Sequence, residues 1–158
     1  MVGAVNGKLK RKILQPAHIK GERMKTQARG IRLNNPGNIE HGDTWRGMAA
    51  AQDDPRFIAF TEPVYGLRAL ARLLLNYQRK HGIRTIDGLI KRYAPPCENN
   101  TKAYADAVAK ACGVAPTDPI DVAARLPDII PAIVRHENGS QPYDQAVIRL
   151  AVVMAQAG

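Results

Sequence analysis

Between residues 64 and 81 the apolar side chains keep to one helical face. Leu67, Leu70, Ala71 and Leu74 recur at three- and four-residue steps, Gln78 continues the row, and Leu73, Leu75 and Tyr77 widen it. No other stretch repeats for so long, so it is expected to form the central helix, closed by Gly82. Arg68, Arg72, Arg79 and Lys80 fall off the stripe and read as a solvated face.

Shorter segments of the same period follow. Thr85 is placed to cap a second helix bearing Ile86, Leu89, Ile90 and Tyr93, which Pro95-Pro96 stops. Asn99 or Asn100 caps a third, with Tyr104, Val108, Ala111 and Cys112 on one face before Gly113. A brief helix is expected over 121–125, and a separate one from an Asp128 cap. In that second helix Pro131 would sit in the first turn and need no intrahelical N–H. Ser140 or Gln141 caps the last helix, whose apolar face is read as Tyr143, Ala146, Val147, Leu150 and Met154. Upstream, Asn34-Asn35-Pro36-Gly37-Asn38 is dense in turn formers: Pro fixes φ, Gly is expected to supply positive φ, and Asn side chains bond nearby backbone. Segments 44–47 and 57–60 then read as a small antiparallel hairpin turned at Asp53-Asp54-Pro55. The fold class expected is mainly α, an α+β domain over 29–158 with one small β element.

Charge divides the chain. Residues 1–32 hold nine Lys and Arg against Glu22 alone, giving +8 of the formal +9. A basic, flexible arm over 1–28 is therefore expected on a nearly neutral body. Such an arm suits nucleic acid, anionic lipid or an acidic wall polymer; the absence of aromatics from it favours a solvated tail. No run of eighteen apolar residues marks a membrane span, and no secretory signal is visible. Cys97 and Cys112 lack zinc spacing and read as reduced thiols, Cys112 on a helix face.

The stretch 128–139, DIIPAIVRHENG, concentrates the chemistry. Counted from Asp128, Ile130, Ile133, Val134 and Glu137 share one face, so a carboxylate ends an apolar stripe. Gly139 puts Glu137 in the last turn, near the negative end of the helix dipole. Burial and dipole are both expected to favour the protonated acid, the state a glycosidic general acid needs. The plainer reading is a helix-end glutamate paired with Arg135 or His136. Glu40, directly after the asparagine-rich turn, is the competing carboxylate, but it sits among polar residues. Trp45, the only tryptophan, suits stacking on a sugar face, but structural burial is the commoner role of a lone tryptophan; both hold if one ring face lines a cleft. There is no Gly-rich phosphate loop with its lysine, no G-x-S-x-G and no H-E-x-x-H, and His18, His41, His81 and His136 are scattered. Neither metal nor cofactor is expected.

The blocks RGIRLNNPGNIEHGDTWRG, DPRFIAF, PVYGLRALARLLLNYQ, RYAPPCENNTKAYADAV and IVRHENGSQPY, in this order over 29–143, resemble a lysozyme-like family. Its members are phage and prophage proteins labelled structural protein P5 or virion lytic protein. The resemblance implies a lysozyme-like domain that degrades peptidoglycan, as a muramidase or lytic transglycosylase, carried in the virion or made in the host cytoplasm and acting on periplasmic peptidoglycan. Some members act on the peptide cross-link instead. In lysozyme-like proteins a helix ending I-x-x-x-E-S-G precedes an N-x-F-G-I turn, a W-x-G strand and a Y-x-x-V helix. Here IVRHENG comes after the corresponding blocks, which implies a circular permutation. By this likeness Glu137 is the catalytic acid, with Glu40 or Asp43 as a second carboxylate. Asn35, Asn38, Trp45, Asn99, Tyr104 and Tyr143 are the substrate-contacting residues expected. The alternative is an inactive virion or wall-binding protein whose basic arm contacts nucleic acid or capsid.

Overall fold

The computed structural model describes residues 26–94 and 100–158, with six helices among them. The basic arm lies outside them apart from its last three residues, as do Cys97, Glu98 and Asn99. The helices are α1 (Arg29–Arg32), α2 (Pro63–His81), α3 (Ile86–Tyr93), α4 (Thr101–Cys112), α5 (Val122–Asn138) and α6 (Gln145–Gln156). α2 is packed by α6 and α5, α4 lies against α3 and α5, and α1 touches α5. Leu67, Leu70, Ala71 and Leu74 are fully buried, as their spacing requires. The punctuation also follows the sequence. Gly82, Gly113 and Gly139 end α2, α4 and α5 in the left-handed region at φ 63, 68 and 73°. Thr85 Oγ1 accepts from Gly88 N at 3.0 Å, and Asn100 Oδ1 from Ala103 N at 3.2 Å.

The expected break before Asp128 is absent. α5 is one helix of 17 residues capped by Asp121, with Pro127 and Pro131 both inside it. Each proline lacks an N–H and leaves the carbonyl four residues back unpaired, a substitution that costs about 3 kcal/mol in a plain helix interior. Here α6 answers both losses. Gln156 Nε2 donates to Ala123 O at 3.3 Å and Gln145 Nε2 to Pro127 O at 3.2 Å. Replacing both glutamines with alanine should destabilise the protein by about 1 kcal/mol, since both sites are open enough for water to take over part of each bond. Thermal unfolding should then start about 2–4 °C lower; an unchanged midpoint would show that water suffices.

The other departures have local causes. α6 begins after Asp144, because Gln141 instead brackets Tyr143, accepting from its N at 2.6 Å and donating to its O at 3.0 Å. Its buried face is Ile148, Ala151, Val152 and Ala155, while Leu150 is 53% exposed and Val153 60%. A helix apolar on nearly every side does not reveal by period which side goes in. In α4, Ala111 is exposed, and Ala105 and Ala109 lie inside. The hairpin reduces to two isolated antiparallel bridges, Glu40 with Phe57 and Met48 with Phe60. From one bridge to the next the chain advances eight positions on one side and three on the other, both in the same sense. The two sides of an antiparallel ladder run in opposite senses, so 41–47 loop out and no ladder propagates. Arg68, expected in solvent, is buried, and Arg72 Nη1 donates to Ala155 O at 2.9 Å at the end of α6. Cys112 is a buried free thiol, pushed above its ordinary pKa by that burial.

Candidate active site

The turn after α1 is held from inside. Asn35 is fully buried; its Oδ1 accepts from Ile39 N at 2.9 Å, and its Nδ2 donates to Ile39 O at 2.9 Å and Ile58 O at 2.8 Å. This corrects its expected contact with substrate, since every polar atom of the side chain is already engaged within the fold. Positive φ falls on Asn34 and Asn38, at 52 and 50°, and not on Gly37. Asparagine tolerates this region better than other side chains because it bonds its local backbone. Gly37 serves close packing: a Cβ there would meet Tyr93 Oη at 3.0 Å and Leu70 Cδ1 at 3.2 Å. Tyr93 Oη donates to Gly37 O.

This turn is fastened to the end of α5. Asn38 Nδ2 donates to Glu137 Oε2 at 2.9 Å, and Asn138 Nδ2 donates to Pro36 O at 2.8 Å. Gly30 of α1 allows the approach, for a Cβ on it would meet Asn138 Oδ1 at 2.5 Å and Asn38 Oδ1 at 2.7 Å. From α4, Tyr104 Oη donates to Glu137 Oε1 at 2.9 Å while its ring stacks on His136 at 3.6 Å. The phenols of Tyr104 and Tyr93 are both held far above the usual range, first by burial and then by neighbouring groups that include Glu137. Tyr104 is therefore a fixed donor. The greasy setting expected for Glu137 is only half there. Ile133 and Val134 behind it are buried, but the carboxyl group itself meets an amide and a phenol.

Glu137 lines a cleft of about 700 Å³ together with Asn38, Glu40, Arg56, Tyr77, Arg92 and Tyr93. Both candidate carboxylates thus share one wall-to-wall space. Glu40 is half exposed and held by Arg56, whose Nε lies 2.7 Å and Nη2 2.6 Å from Oε1. Arg92 lies over the Tyr77 ring at 5.2 Å and against His81 Nε2 at 3.0 Å. Of the other expected contacts, Tyr104 is fully buried behind Glu137, where it positions the carboxyl without facing the cleft. Trp45 and Tyr143 line two other grooves, and Asn99 lies outside the described residues. Tyr77, Arg92, Tyr93 and Arg56 were not anticipated. Tyr77 and Tyr93 sit at apolar helix positions, which read as core, and no sequence signal brings the two arginines to this wall.

Among the described residues no three His, Cys, Asp or Glu side chains are grouped to hold a metal ion, and no helix is long and apolar enough to cross a membrane. No family model matches the chain. Protein P5 of Pseudoalteromonas phage PM2 is 41% identical to it over 120 residues, covering 73% of this chain and 74% of that protein.

Proposed function

The chain belongs to the family of Protein P5 of Pseudoalteromonas phage PM2, and from that footing we propose that it is a phage enzyme that cuts the glycan strand of peptidoglycan. It acts from the virion or at lysis, on a lysozyme-like scaffold in circularly permuted order. The observation that carries this reading is the bond from Asn38 to Glu137, which ties the only carboxylate at the end of α5 to a turn that forms the rim of a polar cleft. In this reading Glu137 passes a proton to the glycosidic oxygen between MurNAc and GlcNAc. Asn38 and Tyr104 fix the carboxyl plane, and each oxygen keeps a position at which the acid proton can be carried and handed to substrate, leaving the carboxylate with its two internal bonds. The oxocarbenium-like state is then captured by water, with Glu40 as the second carboxylate across the cleft, or by the sugar's own hydroxyl.

A second reading has its own support. Both Glu137 oxygens already accept internal hydrogen bonds, which is also how a purely structural glutamate would be satisfied. In that case the protein is an inactive virion or wall-binding component. Incubating the purified chain with isolated cell walls and weighing the released fragments by mass spectrometry separates the cases. Anhydro-MurNAc ends are expected from intramolecular capture and reducing ends from hydrolysis. Free peptides without glycan cleavage would move the reaction to the cross-link, and walls left intact would leave the structural reading standing.

A further inference from the structure

A second groove, of about 420 Å³, runs along the neighbouring face of α2. The cleft at Glu137 takes Leu73 and Tyr77 from this helix; the second groove takes Arg68, Arg72, Asn76 and Lys80, and is closed by Asp43, Thr44, Trp45 and Arg46. The four α2 residues stand at i, i+4, i+8 and i+12, a stripe about 18 Å long at 1.5 Å per residue.

Arg68 is the anomaly in this groove. It is 7% exposed, and its Nε is buried with no acceptor. No carboxylate pairs with it among the described residues, and burial together with the charges of Arg46 and Arg72 weakens its hold on its proton. A guanidinium with its Nε shut off from water and like charges beside it costs stability. The indole N–H of Trp45, on the same groove, is also buried without an acceptor. Guanidinium and indole can only donate. What is missing is therefore an acceptor, and with Arg46, Arg68, Arg72 and Lys80 set against Asp43 alone it is an anionic one. A carboxylate brings a single charge on two oxygens. A phosphate monoester brings three strong acceptor oxygens and a charge near −2, the closer match to four cations and an indole.

We infer that the groove between α2 and Asp43–Arg46 binds phosphate, with Arg68 and Trp45 at its floor and Arg46, Arg72 and Lys80 along its rim. The match of charge favours a free monoester; a phosphodiester chain, with one charge and two free oxygens at each linkage, is the competing source and matches the length of the stripe instead. The site is separate from Glu137 and does not depend on what that residue does.

Because Trp45 is the only tryptophan, its emission reports on this groove directly. The full chain is titrated with inorganic phosphate, with a short single-stranded oligodeoxynucleotide and with acetate, all at one ionic strength. A saturable change is expected with phosphate or the oligonucleotide and none with acetate; the tighter of the first two identifies the source. Arg68→Met should abolish the response and raise the melting temperature, because it removes a buried unpaired charge, whereas loss of a merely structural arginine would lower it. The rim variant Arg46→Gln should weaken binding about tenfold with little change in melting temperature. The proposal is overturned by the absence of a saturable change with either phosphate probe, by an equal response to acetate, or by a response that survives both substitutions.

Discussion

Glu137→Gln should lower the rate at which the protein clears a suspension of cell walls by at least about 100-fold, the range in which a positioned general acid acts. The substitution is nearly isosteric, and its hydrogen bonds can be kept. The glutamine oxygen accepts from Tyr104 Oη in place of Oε1, and Asn38 can turn its amide to offer an oxygen to the new NH2. Stability should therefore change by less than about 1 kcal/mol, so a loss of lysis cannot be assigned to unfolding. Glu40→Gln is the internal control. Glu40 is half exposed and already bound by Arg56, and its variant should stay within about tenfold of the parent if capture is intramolecular. Full lysis by the Glu137 variant, with lysis lost in the Glu40 variant, would transfer the acid to Glu40. Equal activity in both would remove the carboxylates from the mechanism.

Most helix boundaries could be read from the sequence because their signals are local. Gly82, Gly113 and Gly139 adopt the left-handed conformation that glycine alone takes without strain, and Thr85 and Asn100 bond amides three residues on. α5 could not be read so. Its two prolines are tolerated because Gln145 and Gln156 lie 18 and 33 residues further along, beyond any local window. The same holds at the cleft. Glu137 was legible as a carboxylate ending an apolar stripe, but its partner Asn38 is 99 positions away and shows in the sequence only as a turn former. Trp45 illustrates the converse. Its type suggested a sugar platform beside the acid, yet the loop carries it to a separate groove lined by arginines. Residue type gave the chemistry available, and only the long-range contacts decided which groups share a space.

Asn35→Ala is expected to be the most damaging substitution to the fold. One side chain satisfies the N–H and C=O of Ile39 and the C=O of Ile58 at 2.8–2.9 Å, in a position with no solvent exposure. Alanine leaves the N–H of Ile39 and the C=O of Ile58 unpaired, while the C=O of Ile39 keeps its bond from Ile58 N at 3.0 Å. At about 1–3 kcal/mol for each orphaned group the loss should be on the order of 4 kcal/mol. That is a large share of the roughly 5–15 kcal/mol that holds a domain together, and it should lower the melting temperature on the order of 10 °C. Asn35→Asp should be no better, because it turns a carboxylate oxygen toward two carbonyl oxygens, one of which, that of Ile58, then has no donor. The damage should reach the cleft as well. Ile39 lies between Asn38 and Glu40, so releasing its backbone frees both the amide that holds Glu137 and the second carboxylate. Urea unfolding of the two variants against the parent decides the matter. A loss below about 1 kcal/mol for alanine would mean that water or a shifted turn replaces the missing amide, and that the turn is not what keeps Asn38 on Glu137.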